Sequence, residues 1–250
     1  MNFSHPAFVP YRPLIAALNL AGGLPSLSAL NALATSLHRV QARGRPLRFV
    51  ASNGKFAARD YETYILDSGE IPTRPETWHD TLNALVWLRY PRFKAALNAA
   101  HVSAMRDETG PLRSRRRDAL TVLDESGVWV LGSDRHLYEL IEAHAWQAVF
   151  RERRQAVQTG LRFVVVGHAL LEKALAPYPA MTGKCLWLGN AQAQEAAACD
   201  ALHALDSPRQ LAPLPVQGIP GWDAANAHAG YYDNTDIFRL ARITAADTAV

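Results

Sequence analysis

The stretch TRPETWHDTLNALVWLRYPRFKAALNAAHVSAM, residues 73–105, decides how this chain is read. Thr73-Arg-Pro-Glu76 fits a capping box: the Thr73 side chain accepts from the Glu76 backbone N–H, and the Glu76 side chain reaches back. Pro75 suits a first turn because its missing N–H has no helical partner. A helix is predicted to about Tyr90, a stop at Pro91, and a second helix to about Met105. At about 100° per residue, Trp78, Leu82, Leu85 and Val86 form the buried stripe of the first helix, and Phe93, Leu97 and Ala100 that of the second. His79 and Asn83 sit on the edge of the first stripe, while Asp80 points away. The His79-Asp80 pair is therefore not one ligand cluster, despite its likeness to the His-Asp dyad of metal phosphohydrolases. His101 lies beside Leu97, with Lys94 and Asn98 on the same edge. A rise of about 1.5 Å per residue puts His79 and His101 each roughly 15–17 Å from the turn. In an antiparallel hairpin the two imidazoles are expected to face one another.

Outward from the hairpin, residues 1–10 read as an irregular arm, followed by helices over about Pro13–Leu20 and Ser26–Val40. Leu47–Ala51 and Asp60–Leu66 read as strands. Beyond the hairpin, Ala119–Asp124 and Val128–Leu131 read as strands joined by the turn Asp124-Glu-Ser-Gly127. A long helix over Asp134–Val157 is followed by an apolar strand, Leu161–Val166, then Gly167 and a helix from His168 to Ala176. Lys184–Leu188 is a strand candidate and Ala193–Leu205 a helix. The segment from Pro208 to Arg239, rich in Pro and Gly, reads as an extended wrap. The expectation is a single α+β domain over 1–250, with the helical hairpin packed on a small mixed sheet and irregular arms at 1–10 and 241–250.

Three further groups of residues are candidates for chemistry. His168 and Glu172 stand four apart on a helix that follows a buried strand, where they can share a metal or where Glu172 can orient the imidazole. Asp233 and Asp236, in Gly230-Tyr-Tyr-Asp-Asn-Thr-Asp236, offer oxygen ligands, although such residues are also common in plain turns. Arg115, Arg116 and Arg117, with Arg113 nearby, form a candidate anion site. Net charge argues against a broad polyanion groove, because 26 basic residues are nearly matched by 23 acidic ones. Two cysteines, Cys185 and Cys199, are too far apart for a Cys-x-x-Cys site. Dinucleotide, P-loop, serine-hydrolase-elbow and zincin motifs are all missing from the sequence. The absence of a basic-then-apolar leader and of a long apolar run leads to the expectation of a cytoplasmic protein with no membrane partner.

Trp78-His79-Asp80 with Asn83-Ala-Leu-Val-Trp87, then Pro91, Lys94, Leu97-Asn98 and His101, resembles a proteobacterial family designated domain of unknown function 3025. Arg117-Asp118-Ala-Leu-Thr121 with Asp124-Glu125 and Gly127 is similar to its later motifs, as are Gly167-His168-Ala-Leu with Glu172 and Tyr232-Asp233-Asn234 before Phe238-Arg239. The resemblance spans about Tyr61 to Arg239 and implies no activity. Its polar positions coincide with those chosen by spacing, apart from Asp80 and Asp118. The leading functional expectation is an enzyme, a hydrolase of a small or phosphorylated substrate. His79, Asn83, His101, His168 and Glu172 would carry the chemistry, with a divalent metal on some of His79, His101, His168 and Asp233. The alternative is a non-catalytic protein that holds nucleic acid or another polyanion through its arginines.

Overall fold

The computed structural model describes residues 1–39, 44–52, 58–108, 112–228 and 230–241. It opens on a 3-10 turn, Pro6–Tyr11, and not on an irregular arm: Phe8 and Tyr11 are fully buried, and the Tyr11 hydroxyl donates to the Val165 carbonyl at 2.8 Å. Helices α1 (Arg12–Ala17) and α2 (Leu27–Ser36) follow, the latter capped by Ser26. The expected end of α2 at Val40 falls outside the described residues. Strand β1 (Arg48–Ala51) pairs in parallel with β2 (Glu70–Thr73), and α3 (Ala58–Ser68) crosses between them.

The segment expected as a strand over Asp60–Leu66 is thus the body of α3. Its inward residues, Ile65 and Leu66 with partly covered Tyr61 and Glu62, recur at helical spacing, and α3 lies against the hairpin. Thr73 consequently ends a strand and caps nothing; its hydroxyl donates to the Ile71 carbonyl. The cap lies four residues on, at Thr77, which accepts from Asp80 N at 3.3 Å. The two helices and their break are as expected: α4 (Trp78–Arg89) and α5 (Pro91–Arg106) meet at Tyr90, with Pro91 as the first residue of α5.

A second correction concerns Ala119–Asp124, which belongs to helix α6 (Arg115–Ser126) and not to a strand hairpin. Ser114 accepts from Arg117 N at 3.2 Å, and Ala119, Leu120 and Leu123 turn one face inward. The helix runs directly into β3 (Gly127–Gly132). The long helix expected over Asp134–Val157 is broken. Helix α7 (Arg135–Glu142) is closed by Ala143 and then His144, whose φ of 56° is left-handed; a π-helical turn, Gln147–Glu152, and α8 (Arg154–Gly160) follow. Then come β4 (Leu161–Val165), α9 (His168–Ala174), β5 (Thr182–Gly189), α10 (Gln194–Ala201) and β6 (Ala212–Pro215).

The larger sheet has the order β4-β3-β5-β6, with β3 parallel to β5 and antiparallel to β4. Its central strand β3 is buried, and Trp129 packs edge-on against Tyr90 and Phe93, which seats the hairpin turn on the sheet. The fold is α+β, with two sheets in place of the one expected. The chain after Pro208 wraps as anticipated: Tyr232 and Phe238 are buried, and Trp146 Nε1 donates to the Arg239 carbonyl at 2.7 Å.

One close approach aligns the elements. Val166 N and Gly167 N both donate to the Gly127 carbonyl, at 2.9 and 3.0 Å, so the β4–α9 bend lies on the α6–β3 bend. A Cβ at Gly167 would stand 2.4 Å from Gly127 N and 2.6 Å from the Glu125 carbonyl, both immobile backbone. Gly167→Ala should therefore cost about 1–3 kcal/mol or more, seen as a lower urea midpoint. Gly160→Ala, whose Cβ meets nothing closer than 3.8 Å, should leave the midpoint almost unchanged.

Candidate functional site

His79 is in the first turn of α4, Glu125 in the last turn of α6, and His168 is the first residue of α9. Helix α4 packs on α9, and α9 on α6, so the three side chains meet although they are far apart in the chain. The Nε2 atoms of His79 and His168 are 3.1 Å apart, and Glu125 Oε2 lies 3.7 Å from His168 Nε2. One ligand atom from each residue falls within 4.8 Å of the others.

The far sides of both imidazoles are occupied. His79 Nδ1 lies 2.8 Å from Glu172 Oε2, and His168 Nδ1 lies 2.9 Å from the Asp124 backbone carbonyl. A carboxylate and a carbonyl accept but do not donate, so each Nδ1 carries the proton, and in its neutral form each ring turns an Nε2 lone pair toward the other. Burial pushes His168 down to about 4, which keeps its ring neutral near pH 7. The Glu125 carboxyl is raised, by burial first and then by neighbouring Asp124.

Behind this cluster, the Lys94 ammonium from α5 is ion-paired with Asp124 and is only 4% exposed. Burial raises the Asp124 carboxyl, but Lys94 and His168 outweigh it and hold the group below its usual range. The cluster opens on a cavity of about 350 Å³, whose wall also carries Glu62, Arg74, Asn83, His101, Arg113 and Arg117. That volume suits a small molecule. Asn98 Nδ2 donates to Glu62 Oε2 at 2.6 Å, and burial pushes the Glu62 carboxyl up to about 7. Asp80 accepts from Arg74 N, Nε and Nη2 at 2.7, 3.0 and 2.7 Å. It is thus a partner of Arg74 at the cavity wall, and His79 is matched with His168.

Several expected groupings are redrawn. His79 and His101 line one cavity, but the imidazole that meets His79 belongs to His168, because α4 leans on α9 while α5 leans on α3, α6 and α10. His101 stands outside the three-residue cluster, and its Nδ1 is buried without a hydrogen-bond partner among the described residues. Glu172 orients His79, not His168; at the start of α9 the His168 ring turns inward toward α6. Asn83 lines the cavity and donates to the Tyr61 hydroxyl at 3.4 Å. Asp233 is exposed, accepts from Gln147 Nε2 at 2.8 Å, and lies outside both the cluster and the cavity wall. The arginine run is split: Arg115 is exposed, Arg116 pairs with Asp206 at 2.7 Å, and Arg117 pairs with Glu108 at 3.0 Å inside the cavity wall. Glu125, Glu62 and Arg74 went unflagged by spacing. Glu125 becomes visible once Ser114 is read as a helix cap, which places it on the same element as Arg117.

A family model described as "Protein of unknown function (DUF3025)" matches residues 47–242, and the chain belongs to that family. No curated protein and no solved structure matches the chain. No helix among the described residues is long and apolar enough to cross a membrane.

Burial holds His101 at a pKa of about 4, against 6.5 for an exposed imidazole. Between these values the unfolded chain binds a proton that the folded chain refuses, so stability falls as pH drops through this window. Denaturant unfolding at a series of pH values should show this slope. His101→Asn should flatten it by up to about 1.4 kcal/mol per pH unit, one proton's worth.

Proposed function

We propose that this chain is a metal-dependent hydrolase acting on small polar substrates, with His79, His168 and Glu125 as ligands of one divalent ion. The observation that carries this reading is the 3.1 Å approach of two Nε2 atoms whose rings both hold a proton at Nδ1. With both rings neutral, two lone pairs aimed at each other repel, and a cation between them converts the repulsion into ligation. With metal–nitrogen bonds of about 2.0–2.1 Å, that separation corresponds to a ligand–metal–ligand angle of about 100°, close to tetrahedral.

The surroundings support the same reading. Two imidazoles and one carboxylate suit zinc and neighbouring transition ions. Three protein ligands that leave a fourth position open make the pattern of catalytic centres, whereas structural zinc sites are closed by four. Glu172 on His79, and the Asp124 carbonyl on His168, are outer partners of the kind that orient metal-bound histidines and raise their basicity. A divalent ion here would lower the pKa of a bound water toward neutrality and supply a hydroxide nucleophile to a substrate in the cavity. Glu62, with its carboxyl near 7, stands in the same wall and is suited to move a proton.

Metal analysis of the purified chain tests the reading directly. The wild type should take up about one equivalent of Zn²⁺ or Mn²⁺ per chain after chelation and reloading. His79→Ala and His168→Ala should abolish this, whereas Asp233→Ala should leave it intact. Glu172→Gln should retain the stoichiometry and weaken affinity by roughly 10–100-fold. Uptake that survives both histidine changes, or a wild type that binds neither ion, would remove the proposal.

A further inference from the structure

We infer that the group this cavity recognises is a phosphoryl group, as in a small phosphate monoester, held by Arg74, Arg113 and Arg117 beside the histidine cluster. This deepens the metal-hydrolase reading and depends on it for cleavage, but the arginine contact stands on separate observations.

Three arginines line the same cavity. Two of them are anchored from behind by carboxylates that are not part of its wall. Arg113 Nε is 3.3 Å from Asp118, and Arg117 Nη1 is 3.0 Å from Glu108. Arg113 also donates to the Thr121 hydroxyl. Anchoring of this kind orients a guanidinium while leaving other N–H edges for a ligand. Arg117 is only 8% exposed, and its Nε is buried with no hydrogen-bond partner among the described residues. A buried donor without a partner is costly, and a ligand that draws the guanidinium into contact offsets that cost.

The cavity carboxyls do not oppose an anion. Asp80 is engaged by Arg74, Asp124 by Lys94, and Glu125 belongs to the metal cluster. Burial leaves the Glu62 carboxyl close to half-protonated at neutral pH. Each of the three arginines is already paired with a carboxylate, so a divalent ion would supply the net positive charge of this wall, and the arginines would supply directed N–H donors.

The number of arginines separates phosphoryl from carboxylate. A carboxylate presents two oxygens in one plane, which one guanidinium fork satisfies. A phosphoryl group presents three peripheral oxygens, matching several forks at once, with its ester oxygen directed elsewhere. In the resulting reaction, water adds its oxygen to phosphorus and the ester P–O bond breaks. The departing oxygen takes up one proton, the attacking water gives up one, and the products are an alcohol and inorganic phosphate.

The test is calorimetric titration of inorganic phosphate, with acetate as comparator, into chelator-treated and Zn²⁺-reloaded protein. Phosphate should bind both forms, more tightly with zinc, and acetate should bind markedly more weakly. Arg74→Gln and Arg113→Gln should each weaken phosphate binding by about ten-fold or more while the zinc stoichiometry stays unchanged. Phosphate binding that is absent from both forms, that is unaffected by either arginine change, or that acetate equals would overturn the inference. Arginine-dependent phosphate binding in a chain that takes up no zinc would uphold it and overturn the metal reading instead.

Discussion

Lys94 and Asp124 form an ion pair in which the ammonium is 4% exposed and the carboxylate 19%. Taking two charges out of water costs several kcal/mol per ion, and their attraction repays this only with good geometry and further hydrogen bonds. Loss of one partner would leave a buried charge alone, at a cost of about 3–5 kcal/mol. Those figures make the pair a constraint on how α5 and α6 meet more than a net source of stability. Lys94 also lies 5.5 Å from the Trp87 ring of α4, so a single ammonium on α5 contacts two further helices.

What hangs on this pair is the histidine cluster. Asp124 offers its side chain to Lys94 and its backbone carbonyl to His168 Nδ1, which sets both the orientation and the tautomer of that ring. The next residue, Glu125, then reaches His168 Nε2. The Gly127–Gly167 contact holds the other side of the arrangement, where no side chain fits between the two bends. All three cluster residues sit at helix ends. Helix ends can be brought to one point from different directions, as the flanks of long helices cannot.

Local signals in the sequence were legible where local physics decides. Pro91 divides the hairpin because it lacks an N–H, and Gly167 precedes α9 as the buried strand predicted. Strand β3 and strand β4 were visible as short apolar runs. The same criterion misread Asp60–Leu66 and Ala119–Asp124. Short stretches with Tyr, Ile, Thr and Val are compatible with either period, and packing against α5 settled them as helices. The capping box was sought four residues early because Thr73 and Thr77 are both followed three residues later by an acid. The hydrogen bond of β1 with β2 claimed Thr73 and left Thr77 to start the helix.

By itself, then, the sequence determined the α+β class, the hairpin and its break, the wrap of the C-terminal segment, and that His79, His101 and His168 carry the polar interest. Each of these depends on residues within a turn or a strand length of one another. Which groups meet was decided only by tertiary structure. His79 and His168 are separated by 89 residues, and Glu172 lies 93 from the ring it orients. Helical periodicity ranks faces of one element and carries no information about its neighbour, so it paired His79 with His101 across the nearest turn. The packing of α4 on α9 and α9 on α6, set by buried apolar surface throughout the chain, selected His168 and brought in Glu125.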